Sequence, residues 1–286
     1  IQDARILLAP IVDGLRSSPE ADPVQLADAL DALANTYLSR HDAAQASAMR
    51  REAIEITKRV YGENHLYVII RLNNFIFSLL REHDYVAANQ VAKEALERAH
   101  ELEAPDSTNF ATRINNLAST EYALGNWAEA ERLWNEALRI RRTKNDAIDI
   151  AFSLMGTASA AREQGRLSDA RQRIGEALNP LRAHPSPRPS ILARALIEQT
   201  EVDLAEGIVE CGLADEAVRL MHATASQNDP NRLYADVVAA GCAWRAENTT
   251  ATRQRLDDAQ RALRAEFPAN SARIKQANRY LRPGGV

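Results

Sequence analysis

The chain has 286 residues, 45% hydrophobic and 26% charged, which is the composition of a folded protein and excludes wholesale disorder. With 35 basic and 39 acidic side chains, a net charge of −4 and a pI near 5.9, it has no global field to draw it onto phosphates, so no nucleic acid partner is expected. No apolar run reaches the roughly 18 residues needed to span a bilayer.

Residues 1–16 read as an apolar-periodic helix that Pro10 should break or kink, because proline removes a backbone donor. The pattern is helical from Ile1, with no initiating Met, which gives the expectation of a fragment of a longer polypeptide. Ser17 to Pro23 form a turn-rich linker, and Pro23 suits the first position of a new helix. Periodicity and breakers then place paired helices at about 23–39 and 43–60, 65–81 and 85–101, 107–124 and 127–142, and 146–163 and 167–180. The alternating prolines of His184 to Pro189 forbid helix and favour a stiff extended spacer. A fifth pair follows at about 190–210 and 214–226, a weaker sixth at about 231–246 and 249–265, and a terminal polar-faced helix at about 270–281. The organisation read here is an N-terminal helix and linker (1–22), five hairpins (23–226), and a degenerate sixth hairpin with a capping helix (227–286).

The hairpins share a register. His41, His83, Gly125, Gly165 and Gly212 occupy one turn position, spaced by 42, 42, 40 and 47 residues. Five residues beyond each stands Ala46, Ala88, Ala130, Ala170 or Ala217; twelve beyond stands Ala53, Ala95, Ala137, Ala177 or Thr224. A period in this range signals an array of helical hairpins. Small residues belong where antiparallel helices cross closely. The proline-rich connector accounts, in this reading, for the longer last spacing.

The register, with Leu72-Asn73-Asn74, Ile114-Asn115-Asn116-Leu117-Ala118 and the linker Tyr61-Gly62-Glu63-Asn64-His65, resembles the tetratricopeptide repeat in its longer, kinesin-light-chain-like variety. Leu66 stands where that family has proline, and Tyr37 alone keeps its favoured aromatic. The resemblance implies an all-α, right-handed superhelical α-solenoid of helical hairpins. It also implies a concave groove lined by the first helices, which binds protein or peptide. Such arrays are similar to regions attached to bacterial signalling proteins, including serine/threonine kinases and transcriptional activators.

No glycine-rich phosphate loop, GxSxG elbow, HExxH or paired CxxC is present, and the six histidines are scattered. The reading is therefore not an enzyme, with no cofactor and no metal. Cys211 and Cys242 suggest neither a disulfide framework nor a zinc site; they fall in first helices of adjacent repeats, where a contact is conceivable, but each reads more simply as a small buried apolar residue. The compartment reads as cytoplasmic, or periplasmic if a membrane segment lies upstream.

Helical geometry puts one inward stripe on each first helix. The stripe carries Asn35, then Asn73, Asn74 and Phe77, then Asn115, Asn116, Ser119 and Tyr122, then Phe152, Met155 and Arg162. A carboxamide offers donor and acceptor together, so these asparagines suit both backbone groups of an extended peptide. The alternative is that they bridge adjacent helices. Arrays that clamp acidic chaperone tails need cations where this chain has Asp31, Thr112 and Asn116, so that partner is not expected; Arg71 and Arg113 flank the stripe and remain candidates for selecting acidity. Trp127 and Trp134 read as packing residues. Trp244, with Tyr234, is the candidate surface for a homodimer, which makes a self-association platform the second functional reading.

Overall fold

The computed structural model describes residues 2–38, 42–144, 147–184, 188–267 and 271–281. His41, Pro185, Pro187 and the Pro283-Gly284-Gly285 ending lie outside the described residues. Among those described, all regular structure is helical. The chain divides into two compact units, residues 1–140 and 141–286.

The first unit contains α1 (Gln2–Ser17), α2 (Pro23–Leu38), α3 (Ala43–Tyr61), α4 (Leu66–Glu82), α5 (Tyr85–Leu102), α6 (Thr108–Leu124) and α7 (Trp127–Lys144) up to Ile140. Side-chain caps set several starts: Asp42 accepts from the Gln45 N–H at 3.3 Å, Asp84 from Ala87 at 3.0 Å, and Ser107 from Phe110 at 3.1 Å. Each cap satisfies one of the donors that a helix N-terminus leaves open. The α4 and α6 ends turn on left-handed residues, His83 at φ 63° and Gly125 at φ 88°. Glycine meets that geometry without strain. Successive helices pack through Val12, Leu30, Leu33 and Ile56, then through Ile54, Leu72, Phe75 and Leu79. Ala46, Ala88 and Ala130 are fully buried, as close crossing requires.

Two sequence expectations change here. α1 runs through Pro10 without the break expected as one of the two outcomes, so losing one backbone donor does not end the helix. Trp127, expected to pack, keeps 37% of its surface exposed, whereas Trp134 is buried beside Tyr122, with ring centroids 5.6 Å apart.

The second unit contains α8 (Ala147–Glu163), α9 (Leu167–Ala183), α10 (Pro189–Ala205), α11 (Gly212–Thr224), α12 (Pro230–Glu247), α13 (Thr250–Glu266), α14 (Ala272–Ala277) and a 3-10 turn (Asn278–Leu281). Ala170, Ala177 and Ala217 are again fully buried. The turn register, however, is not the one the sequence suggests. Gly207, not Gly212, takes the left-handed conformation at φ 81°, and Gly212 is the first residue of α11. The turn residues therefore run His83, Gly125, Gly165, Gly207 and Asn248, each left-handed and 40 to 42 residues from the last. The extra length lies in residues 208–211, between the turn and α11, and not in the proline connector. Residue type alone misled: either glycine fits a turn, and only helix packing selects one.

The cysteine expectation also changes. Cys211, at the end of that insertion, forms a disulfide with the buried Cys242 of α12. The two are 31 residues apart but their Cα atoms lie 5.7 Å apart. Neither is a free apolar side chain.

Candidate functional site

In the first unit the polar side chains of α2, α4 and α6 form two linked networks. Asp31, buried on α2, accepts from Arg71 Nη1, and Asp28 accepts from the same guanidinium. Arg50 of α3 is also buried; it donates to the Asn74 carbonyl at 2.5 Å, to Ser78 Oγ at 2.7 Å and to Asn35 Oδ1 at 2.6 Å. Its Nε stands 3.7 Å from Asp31. Burial lowers the Arg50 pKa from its ordinary value, and Asp31 pulls the other way. Asn74 Nδ2 donates to Asp31 at 3.2 Å, while Asn116 Nδ2 donates to Asn73 Oδ1 across the next helix pair.

Two of these amide orientations follow from the partners. A guanidinium only donates, so Asn35 must offer its oxygen to Arg50; a carboxylate only accepts, so Asn74 must offer its nitrogen to Asp31. Each asparagine is thus held at one end by a neighbouring helix. Among the described residues, these bonds leave Asn35 Nδ2, Asn73 Nδ2, Asn74 Oδ1 and Asn116 Oδ1 available. The two readings of the asparagines are not exclusive: bridging fixes the amide that a ligand would meet. Asn35 is exposed, Asn73 and Asn74 are half-buried, and Asn116 is buried but for 6%. Asn115 and Ser119 are half-buried on α6, with Ser119 Oγ donating to the Asn115 carbonyl at 2.9 Å. Phe77 is 50% exposed and Ile70 44%.

Arg71 and Arg113 do not serve to select acidity. Arg71 is spent on Asp28 and Asp31, and Arg113 is buried against Glu103 at 3.1 Å. A third polar group lies between α5 and α6, where Asn89, Asn126 and Lys93 converge on Glu121. Burial pushes the Glu121 carboxyl up, yet the Asn126 and Asn89 hydrogen bonds and the charge of Lys93 outweigh it and hold the group below its ordinary value.

In the second unit the stripe residues sit differently. Met155 and Arg162 are buried, and Phe152 is half-buried with the Arg194 guanidinium 5.4 Å from its ring centroid. Arg162 donates to Glu163 at 3.0 Å, Glu198 at 2.9 Å and Glu201 at 3.4 Å. Tyr234 donates to Glu201 at 2.5 Å. Burial pushes the Glu198 carboxyl up, against the pull of Arg162. Trp244 is buried beneath Arg253, whose guanidinium lies 4.7 Å from the ring centroid, so neither it nor Tyr234 offers the exposed dimer surface expected from the sequence. Nothing in the sequence marks Arg50 or Glu201, because their partners come from other helices, nor Glu163, whose second partner, Arg279, lies 116 residues away. Among the described residues, no His/Cys/Asp/Glu group of three or more could hold a metal ion, and no helix is long and apolar enough to cross a membrane.

Residues 26–67 and 110–182 each match a tetratricopeptide repeat family profile. Mitochondrial tetratricopeptide repeat protein 19 of Mus musculus is 23% identical over 139 residues, 49% of this chain and 37% of that protein, so the match spans little more than a third of the relative's length. The fold is similar to that of BtubC (BKLC) from P. vanneervenii, with TM-score 0.63, 19% identity and coverage of 78% of this chain and 91% of that one. It is also similar to a Rap protein complexed with competence and sporulation factor, with TM-score 0.59, 16% identity and coverage of 92% and 72%. Hairpins of about 42 residues, nested through buried alanines, accord with the tetratricopeptide repeat profiles that match residues 26–67 and 110–182.

Proposed function

We propose that the chain is a non-enzymatic scaffold that holds an extended protein or peptide segment along α2, α4 and α6 of the first unit. The observation that carries this reading is the set of half-engaged amides: two present donors (Asn35, Asn73) and two present acceptors (Asn74, Asn116) on neighbouring helices. An extended backbone alternates C=O and N–H, so such a set grips it whatever its side chains. Phe77 and Tyr122 supply apolar contact, and Asn115 and Ser119 continue the stripe along α6. The Rap protein complexed with competence and sporulation factor supports a bound partner by analogy of fold alone. The proposed setting is a regulatory or sensory region of a larger bacterial signalling protein, such as a serine/threonine kinase or a transcriptional activator. The disulfide favours an oxidising compartment for it.

The test uses a ligand selected on the full chain from a displayed peptide library. Replacing Asn74 and Asn116 by Ala together should weaken that ligand about tenfold or more, with each lost hydrogen bond worth about 1 kcal/mol. Melting should drop only modestly. Unchanged affinity in a folded double variant would remove the groove from this face.

A further inference from the structure

The last described residues return onto the second unit. α14 and the 3-10 turn lie against α12, and α13 holds them: Gln260 Nε2 donates to the Ala277 carbonyl at 3.0 Å and Arg264 Nη2 to Asn278 Oδ1 at 2.8 Å. From there Arg279 reaches back 116 residues to Glu163, at the end of α8, donating through Nη1 and Nη2 at 2.8 and 2.5 Å. The Glu163 side chain is 4% exposed but that of Arg279 is 42% exposed. The acceptor is part of the core, and the donor arrives from outside it.

Around Glu163 stand Arg162, Glu198, Glu201 and Tyr234, contributed by α8, α10 and α12. Among the described residues, three carboxylates converge here on two guanidiniums. We infer that this acidic wall of the second unit is a binding site for an arginine side chain of a basic extended segment, and that residues 271–281 occupy it as the chain's own stand-in. Arginine suits the wall because its planar fork meets a carboxylate with two parallel N–H groups, as Arg279 meets Glu163; lysine offers a single point charge. The stand-in is exchangeable because α14 has six residues, too few to hold a helix by itself, so its place depends on these side-chain bonds and on the seating of Ile274 and Ala277, both buried. This site uses different helices from the asparagine face and does not rest on that reading.

The test uses the full chain and a fluorescent peptide of its own residues 271–283, together with a second peptide whose arginine at position 279 is alanine. Arg279→Ala should bind the first peptide about tenfold or more tightly than the unaltered chain, because disengaging the strap raises the competent fraction. Adding Glu163→Gln should abolish that gain, and the alanine peptide should bind neither protein. In the unaltered chain, hydrogen exchange should show residues 272–281 opening before α12. Equal binding by the unaltered chain and Arg279→Ala overturns the proposal. So does exchange of the strap only together with α12, which would mark it as a fixed structural cap even if Arg279→Ala does not fold.

Discussion

In the first unit, α2, α4 and α6 keep one face on which amides are half engaged and Phe77 stands in solvent. In the second unit, α10 and α12 are buried nearly all round, and the corresponding polar groups are carboxylates gathered around Arg162 beneath a returning strap. Both units nest their hairpins through the same buried alanines. The contrast teaches that the hairpin register and the content of the inner face are separable: alanine at the crossing sets how closely helices approach, while a few long polar side chains decide whether a face is open or occupied. The units also differ in how they are secured. The first relies on the buried Asp31–Arg71–Arg50 group, the second on a covalent link between the insertion at 208–211 and α12.

The largest effect should come from Asp31→Ala. It leaves Arg50 and Arg71 buried without their shared carboxylate, which costs about 3–5 kcal/mol. Hydrogen exchange should show the loss in α2 to α4 and little change in α10 to α13; a uniform loss would erase the contrast between the units. Next is reduction of Cys211–Cys242, expected to cost about 2–4 kcal/mol because the unfolded second unit regains loop freedom. Calorimetry with and without reductant checks it, and an unmoved transition would show that packing alone holds α11 to α12.

Glu121→Gln sharpens the comparison through pH. The Glu121 carboxyl is held below its ordinary value in the folded state, so its stabilisation is present above about pH 4.3 and fades as pH falls through the lowered value. The variant should be less stable by about 1–3 kcal/mol at pH 7 and converge on the parent in acid. A constant offset across pH would show that the cost lies in packing. The smallest effect concerns the turn. Gly207→Ala should cost about 1–2 kcal/mol, because alanine is strained in the left-handed conformation, while Gly212→Ala at the start of α11 should be neutral or slightly stabilising. Thermal melts of the two variants decide between the turn seen in the structure and the one read from sequence.

Most bounds expected from periodicity agree with those observed, as with 127–142 against Trp127–Lys144, but the helix expected at 190–210 ends at Ala205, because the turn comes at Gly207. The alanine register is legible because close crossing tolerates few other residues. The asparagines were legible as a stripe, but their orientation was not, since it depends on Arg50 and Asp31 arriving from neighbouring helices. Gly212 fits the turn register by residue type and by the alanine five residues on, yet the left-handed residue is Gly207. Cys211 and Cys242 gave no spacing signal, because a disulfide answers to distance in space.

What the sequence by itself determined is the hairpin array, since 3.6-residue periodicity, breakers and small residues at helix crossings are local features written at fixed intervals. Tertiary structure alone decided which face stays open and which is filled. Those outcomes turn on contacts such as Arg279 to Glu163, 116 residues apart. Long charged side chains reach their partners only after the helices have packed.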